Sequence, residues 1–155
     1  MSNRSFPGYP LTSGGRAWLL AASVLLVAGF ALARSLEPDP RGFGTHQRLG
    51  LPECTFKEKT GMPCPSCGMT SSFSLFVRGD FLNSIRANWV GTLMASVCLW
   101  LIPWCLASVY FGRPLFVRSI EMPISMGIIV LLSLLLIRWV IVLLIQYCTG
   151  TPATP

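Results

Sequence analysis

Three long stretches of this chain carry almost no charge, and they limit the fold more than any other feature. Ala17 to Ala33 is uncharged and bounded by Arg16 and Arg34. Trp89 to Phe111 is uncharged between Arg86 and Arg113. Met122 to Tyr147 is apolar apart from Arg138. A helix rises about 1.5 Å per residue, so about 20 apolar residues cross a hydrocarbon core of about 30 Å. The first run is short and needs Arg34, Ser35 and Leu36 as an interfacial turn. Composition agrees: 52% of residues are hydrophobic and 12% charged, against about 25% charged in a soluble domain.

The expected fold is therefore an all-α membrane protein with three transmembrane helices. The divisions are a flexible tail at 1–16, helices at 17–36, 89–111 and 122–147, a Cys-rich loop with an interfacial helix at 37–88, a connection at 112–121, and a disordered tail at 148–155. A rival reading, a cleaved signal peptide ending at Ala31-Leu32-Ala33, is less favoured. Pro103 predicts a kink in the second span, and its Trp and Tyr residues include interfacial anchors.

The net charge of +6 does not point to nucleic acid. Lys and Arg are scattered over tails and loops without runs. They suit membrane flanks that face anionic headgroups. They do not set the orientation, because Arg4, Arg16, Arg113 and Arg118 on one side are matched by Arg34, Arg41, Arg48, Arg78 and Arg86 on the other.

The long polar section opens on Glu37-Pro38-Asp39-Pro40, which disfavours helix. Further on, Thr70 is an expected N-cap for a short helix with Phe73, Leu75, Phe76 and Val77 on an apolar side that lies along the membrane surface. Gly79 ends it and Asp80 caps the next helix. Arg78-Gly79-Asp80 is read as this turn, not as an adhesion motif. Asn88 is expected to cap or anchor the second span.

Cys54, Cys64 and Cys67 have the spacing C-x9-C-x2-C. One reading is a structural staple: a disulfide or buried thiols that hold a loop otherwise lacking regular structure. A second is metal. A C-x2-C turn followed by Gly68 aims two thiolates at one point, Cys54 is a third ligand and His46 a fourth, which would suit tetrahedral zinc. A third is thiol redox chemistry, with Cys64 attacking and Cys67 or Cys54 resolving. No βαβ pattern surrounds the motif, which excludes a thioredoxin-type fold. Gly68 in place of His argues against covalent haem.

Arg138 is the other outlier. A charge within a span marks a functional-site hypothesis, and snorkelling to the interface is the competing account. Asp80, Glu53 and Glu121 are candidate partners. Cys98 and Cys105, seven residues apart on one helix face, read as packing residues.

Gly44-Thr45-His46, Leu49-Gly50-Leu51-Pro52, Cys54-Thr55-Phe56, Thr60-Gly61, Pro63-Cys64-Pro65-Ser66-Cys67-Gly68-Met69-Thr70, Arg78-Gly79-Asp80 and Asn88 together resemble the bacterial membrane family called domain of unknown function 2752. The likeness covers about residues 38–95, and its Cys-Pro-x-Cys-Gly-x-Thr core is distinctive. Many members carry Arg after that Thr, where Ser71 stands here. The resemblance implies a small multi-span protein of the bacterial inner (cytoplasmic) membrane, with a first span retained. It brings no established activity.

The leading expectation is a non-enzymatic membrane module with a loop held by metal or disulfide for a membrane protein partner or a second copy of itself. Its surroundings are the lipid bilayer, and zinc is the candidate cofactor. A membrane thiol-disulfide oxidoreductase is the alternative. An oligomeric small-solute transporter, resting on Arg138 alone, is the weaker one.

Overall fold

The computed structural model describes residues 10–39, 42, 44, 45, 47, 50, 52, 54–115 and 121–149, apart from the side chains of Lys57, Glu121 and Thr149. Among them are five helices and no strand: α1 (Ser13–Ser35), α2 (Thr55–Thr60), α3 (Met69–Phe76), α4 (Phe81–Phe111) and α5 (Glu121–Thr149). Three are long and apolar enough to cross a membrane: Ser13–Ser35, Phe81–Phe111 and Met122–Cys148. The Cys-bearing segment lies between the first two. This suits an integral membrane protein.

Helix α1 starts at Thr12, whose hydroxyl accepts from the Gly15 N–H at 3.2 Å. Just before it, the Leu11 N–H donates to the Gly112 carbonyl at 2.8 Å. The start of α1 is thus joined to the end of α4, and the two helices run antiparallel. At the other end of α1, Arg78 takes over carbonyls that have lost their helical donors. Its guanidinium donates to Arg34 O at 2.8 Å and Ala33 O at 3.4 Å. The same side chain bonds Ser74 Oγ at 2.6 Å, so it joins α3 to α1.

The short helix α3 differs from expectation at its start. Its N-cap is Gly68 in the left-handed region, not Thr70, because the Cys64–Cys67 turn already delivers the chain into helical geometry two residues earlier. Its serines form the inner face, which fits an apolar side turned to the membrane. Ser71, Ser72 and Ser74 are all buried. They bond to Thr45 Oγ1 at 2.7 Å, Met69 O at 2.8 Å and Leu36 O at 2.5 Å respectively. Ser84 of α4 continues the pattern, donating to Ser72 O at 2.8 Å and lying 2.7 Å from Thr92 Oγ1.

This distribution is the one expected in lipid. Helices there gain nothing from hiding Leu or Phe, so small and hydroxyl-bearing residues occupy the interfaces. Gly91 shows how close the approach is: a Cβ at that position would lie 2.2 Å from Ser72 Oγ. Large apolar side chains such as Trp18, Leu25, Trp100, Ile129 and Leu144 point outward.

Helix α4 is interrupted at Asn88, which has φ −162° and ψ 102°. The sequence suggests a kink at Pro103, yet dihedrals stay helical through that residue. The break falls at Asn88 because its side chain replaces the missing helical bonds. Its Oδ1 accepts from Val90 N and Gly91 N, both at 3.1 Å, the bonding of an N-cap. Asp80 caps the first half through Asn83 N at 3.2 Å. Gly112, in the left-handed region, closes the helix.

Candidate metal centre

Two segments, one on each side of α2, bring the cysteines together. Cys54 precedes α2, and its carbonyl accepts from Glu58 N at 2.9 Å. The sequence predicts no helix here. One short turn of helix forms, and Gly61 at φ 69° turns the chain back towards Pro63. The Pro63–Cys67 stretch then folds tightly, with Cys67 N donating to Cys64 O at 3.1 Å and Met69 N to Ser66 O at 3.1 Å. The result is that the sulfurs of Cys54, Cys64 and Cys67 all lie within 4.8 Å of one another. Cys64 Sγ and Cys67 Sγ are 3.1 Å apart, and no disulfide joins them.

Gly68 makes this turn feasible. Its φ is 82°, and a Cβ there would meet Ala87 O at 2.5 Å and Gly42 O at 3.1 Å. Asn88 holds the turn from the same side, with Nδ2 donating to Cys67 O at 3.1 Å. The interrupted helix therefore contributes twice. Asn88 grips the backbone of the cysteine turn, and Ala87 presents a carbonyl beside it.

The two cysteines of the turn differ electrostatically. Burial pushes the Cys64 thiol up, but hydrogen bonds from the side chains of Ser66, Cys67 and Cys54 outweigh it and hold Cys64 below its ordinary value. Ser66 Oγ is 3.5 Å from the Cys64 sulfur. Burial, reinforced by the hydrogen bond to Cys64, pushes Cys67 up to about 12. Of the two, Cys64 is the thiol that loses its proton more readily.

Helix α5 reaches the site at two consecutive residues. Arg138 donates to Ala87 O at 3.1 Å, the carbonyl that faces Gly68. Trp139 donates to Pro63 O at 2.8 Å and meets Phe56 edge-on at 6.1 Å. The two side chains thus engage both ends of the Cys64–Cys67 turn and the residue two beyond Cys54. Arg138 is 6% exposed, so it does not snorkel to solvent. Of its candidate partners, Asp80 bonds Asn83, while Glu53 and the side chain of Glu121 lie outside the described residues. His46, the candidate fourth ligand, also lies outside them.

The donor set fits a thiophilic ion. Three sulfurs no more than 4.8 Å apart share a centre no farther than about 2.8 Å from each, close to the zinc–sulfur bond of about 2.3 Å. Cys98 and Cys105 sit on α4 and take no part; Cys105 is buried.

The three cysteines, the turn and the interruption at Asn88 all fall in one family segment. Residues 54–102 match the family described as Protein of unknown function (DUF2752). The match supports the family resemblance carried by Cys64-Pro65-Ser66-Cys67-Gly68-Met69-Thr70. No curated protein and no solved structure matches the chain. Arg138 and Trp139 lie beyond the DUF2752 segment. Their part in the site was hidden in the sequence, because they meet it across 51 and 76 residues. Trp139, next to the one charge in a span, was the signal available.

Proposed function

We propose that this chain is a non-enzymatic module of the bacterial inner membrane, with a DUF2752 loop stapled by one zinc ion on Cys54, Cys64 and Cys67. The stapled loop presents a surface to a membrane partner, either another protein or a second copy of the chain. The observation that carries this reading is the gathering of three sulfurs from separate segments around a single centre. A staple also accounts for the investment around it: the left-handed Gly68, the Asn88 clamp and the α5 contacts all hold backbone. A structural metal site contributes directly to folding. Replacing Cys64 with Ser should therefore lower the amount of folded protein in the membrane. Normal abundance of the Cys64→Ser variant would contradict the reading.

A second reading has one observation in its favour. Cys64, held low, beside Cys67, pushed up to about 12, has the asymmetry of an attacking and a resolving thiol. A thiol-disulfide oxidoreductase of this kind would leave a mixed disulfide between Cys64 and its substrate in a Cys67→Ser variant. Absence of any trapped adduct would remove this alternative. Arg138 engages the cysteine turn instead of lining a path, which leaves the transporter reading without support.

A further inference from the structure

The metal reading leaves a charge to be explained, and the position of Arg138 explains it. Three thiolates and a divalent ion sum to one negative charge. A centre beside the membrane does not carry net charge cheaply, since an uncompensated ion in a poorly polarisable setting costs several kcal/mol. Arg138 supplies one positive charge. It lies on a helix whose neighbouring residues, Ile124 to Ile137 and Trp139 to Ile145, contain no other ionisable group. It is buried, and among the described residues its hydrogen bond goes to a backbone carbonyl.

Its place is defined by several contacts. The Ala87 carbonyl that it bonds stands over Gly68, directly after Cys67. The next residue, Trp139, bonds the carbonyl directly before Cys64. These contacts place Arg138 on the carbonyl that covers Gly68, the residue after Cys67, and its neighbour on the carbonyl before Cys64.

We propose that Arg138 is the counter-charge of a tris-thiolate centre, which makes the centre neutral with a divalent ion and a neutral fourth ligand. The proposal rests on the metal reading above and adds the charge state of the site. A monovalent ion such as copper(I) would leave one negative charge, and so would an anionic fourth ligand. His46 or water satisfies the requirement.

The test uses the full chain in nanodiscs with cobalt(II) as the probe, since its thiolate charge-transfer bands report the sulfurs. The wild type should bind one cobalt ion. Arg138→Gln and Arg138→Met should each weaken cobalt binding at least about tenfold, and Arg138→Lys should recover most of the loss, because a charge beside thiolates is worth at least that factor at low polarity. Ser133→Ala, on the exposed side of the same helix and bonded to the Ile129 carbonyl, should leave cobalt affinity within about twofold. On the cobalt-loaded wild type, azide should leave the spectrum unchanged. The proposal is overturned if both neutral variants bind as tightly as the wild type, if Arg138→Lys is as weak as Arg138→Gln, if Ser133→Ala weakens binding as much as the neutral variants, or if azide binds. Should the neutral variants not fold, the azide and lysine results decide it. Failure of the wild type to bind cobalt at all would instead overturn the metal reading itself.

Discussion

The indole of Trp139 donates to the carbonyl of Pro63 at 2.8 Å, which fastens the last span to the residue before Cys64. Most of α5 faces outward, so this bond and its neighbour from Arg138 to Ala87 are its principal polar attachments among the described residues. Trp139→Phe should keep the Phe56 contact and lose the bond. Such a bond is worth about 1 kcal/mol, so thermal unfolding in detergent should fall by a few degrees, and proteolysis of the 112–121 connection should speed up. An unchanged melting temperature would show that α5 is held elsewhere.

Gly68→Ala should be among the most damaging single changes. The left-handed backbone alone costs about 1–2 kcal/mol for a residue with a Cβ, and the added carbon would lie 2.5 Å from Ala87 O. The clash is with backbone, which cannot rotate away. Loss of folded protein on size-exclusion chromatography is expected, and wild-type elution and yield would refute the close approach.

Asn88 acts through two different atoms, and two substitutions separate them. Asn88→Ala loses both the cap to Val90 and Gly91 and the clamp on Cys67, and capping alone is worth about 1 kcal/mol. Asn88→Asp keeps the accepting oxygen and loses the donor to Cys67 O. Unfolding measurements should rank the wild type above Asn88→Asp, and Asn88→Asp above Asn88→Ala.

The packing of α3 on α4 predicts a compensating pair. Gly91→Ala should destabilise, because the new carbon would lie 2.2 Å from Ser72 Oγ and the hydroxyl would have to leave Met69 O. With Ser72→Ala in the same chain, the nearest remaining neighbour is the residue-72 Cβ at 3.4 Å, an ordinary contact. The double variant should be more stable than Gly91→Ala alone, which a double-mutant cycle reads directly.

Metal-free protein should show unequal thiol reactivity. Only the thiolate attacks an alkylating agent. Cys64, held low by its hydrogen bonds, should be modified at a pH below that required by an ordinary cysteine. Cys67, pushed up to about 12, should stay protonated and unmodified through neutral pH. The sign matters for stability as well: the charged form of Cys64 favours the fold, and this contribution is lost as pH falls through its lowered pKa. Peptide mapping after timed iodoacetamide treatment checks the order, and faster labelling of Cys67 would reverse the assignment.

The three membrane-length helices were legible in the sequence because length and lack of charge are local properties, and lipid demands little else. The turn at Gly79 and the cap at Asp80 were legible for the same reason, since each acts within a few residues. The inner face of α3 was not. Its apolar side is expected along the membrane, but the partners of the opposite, hydroxyl-bearing face, Thr45, Leu36 and Ser84, are joined to it only by the folded chain. The sequence suggests a cap or anchor at Asn88 and a kink at Pro103. Asn88 does cap, but the second bond that fixes the helix interruption there reaches Cys67, 21 residues away. The cysteine spacing suggested a cluster, but the partners that frame it, Ala87, Arg138 and Trp139, are joined to it only by the folded chain.

The most direct test of the account is the metal content of the purified full-length protein, measured together with its intact mass. The account predicts one zinc ion per chain and a mass corresponding to six free thiols once the metal is removed. Metal-free protein with a mass two hydrogens lower, from a disulfide among Cys54, Cys64 and Cys67, would contradict it.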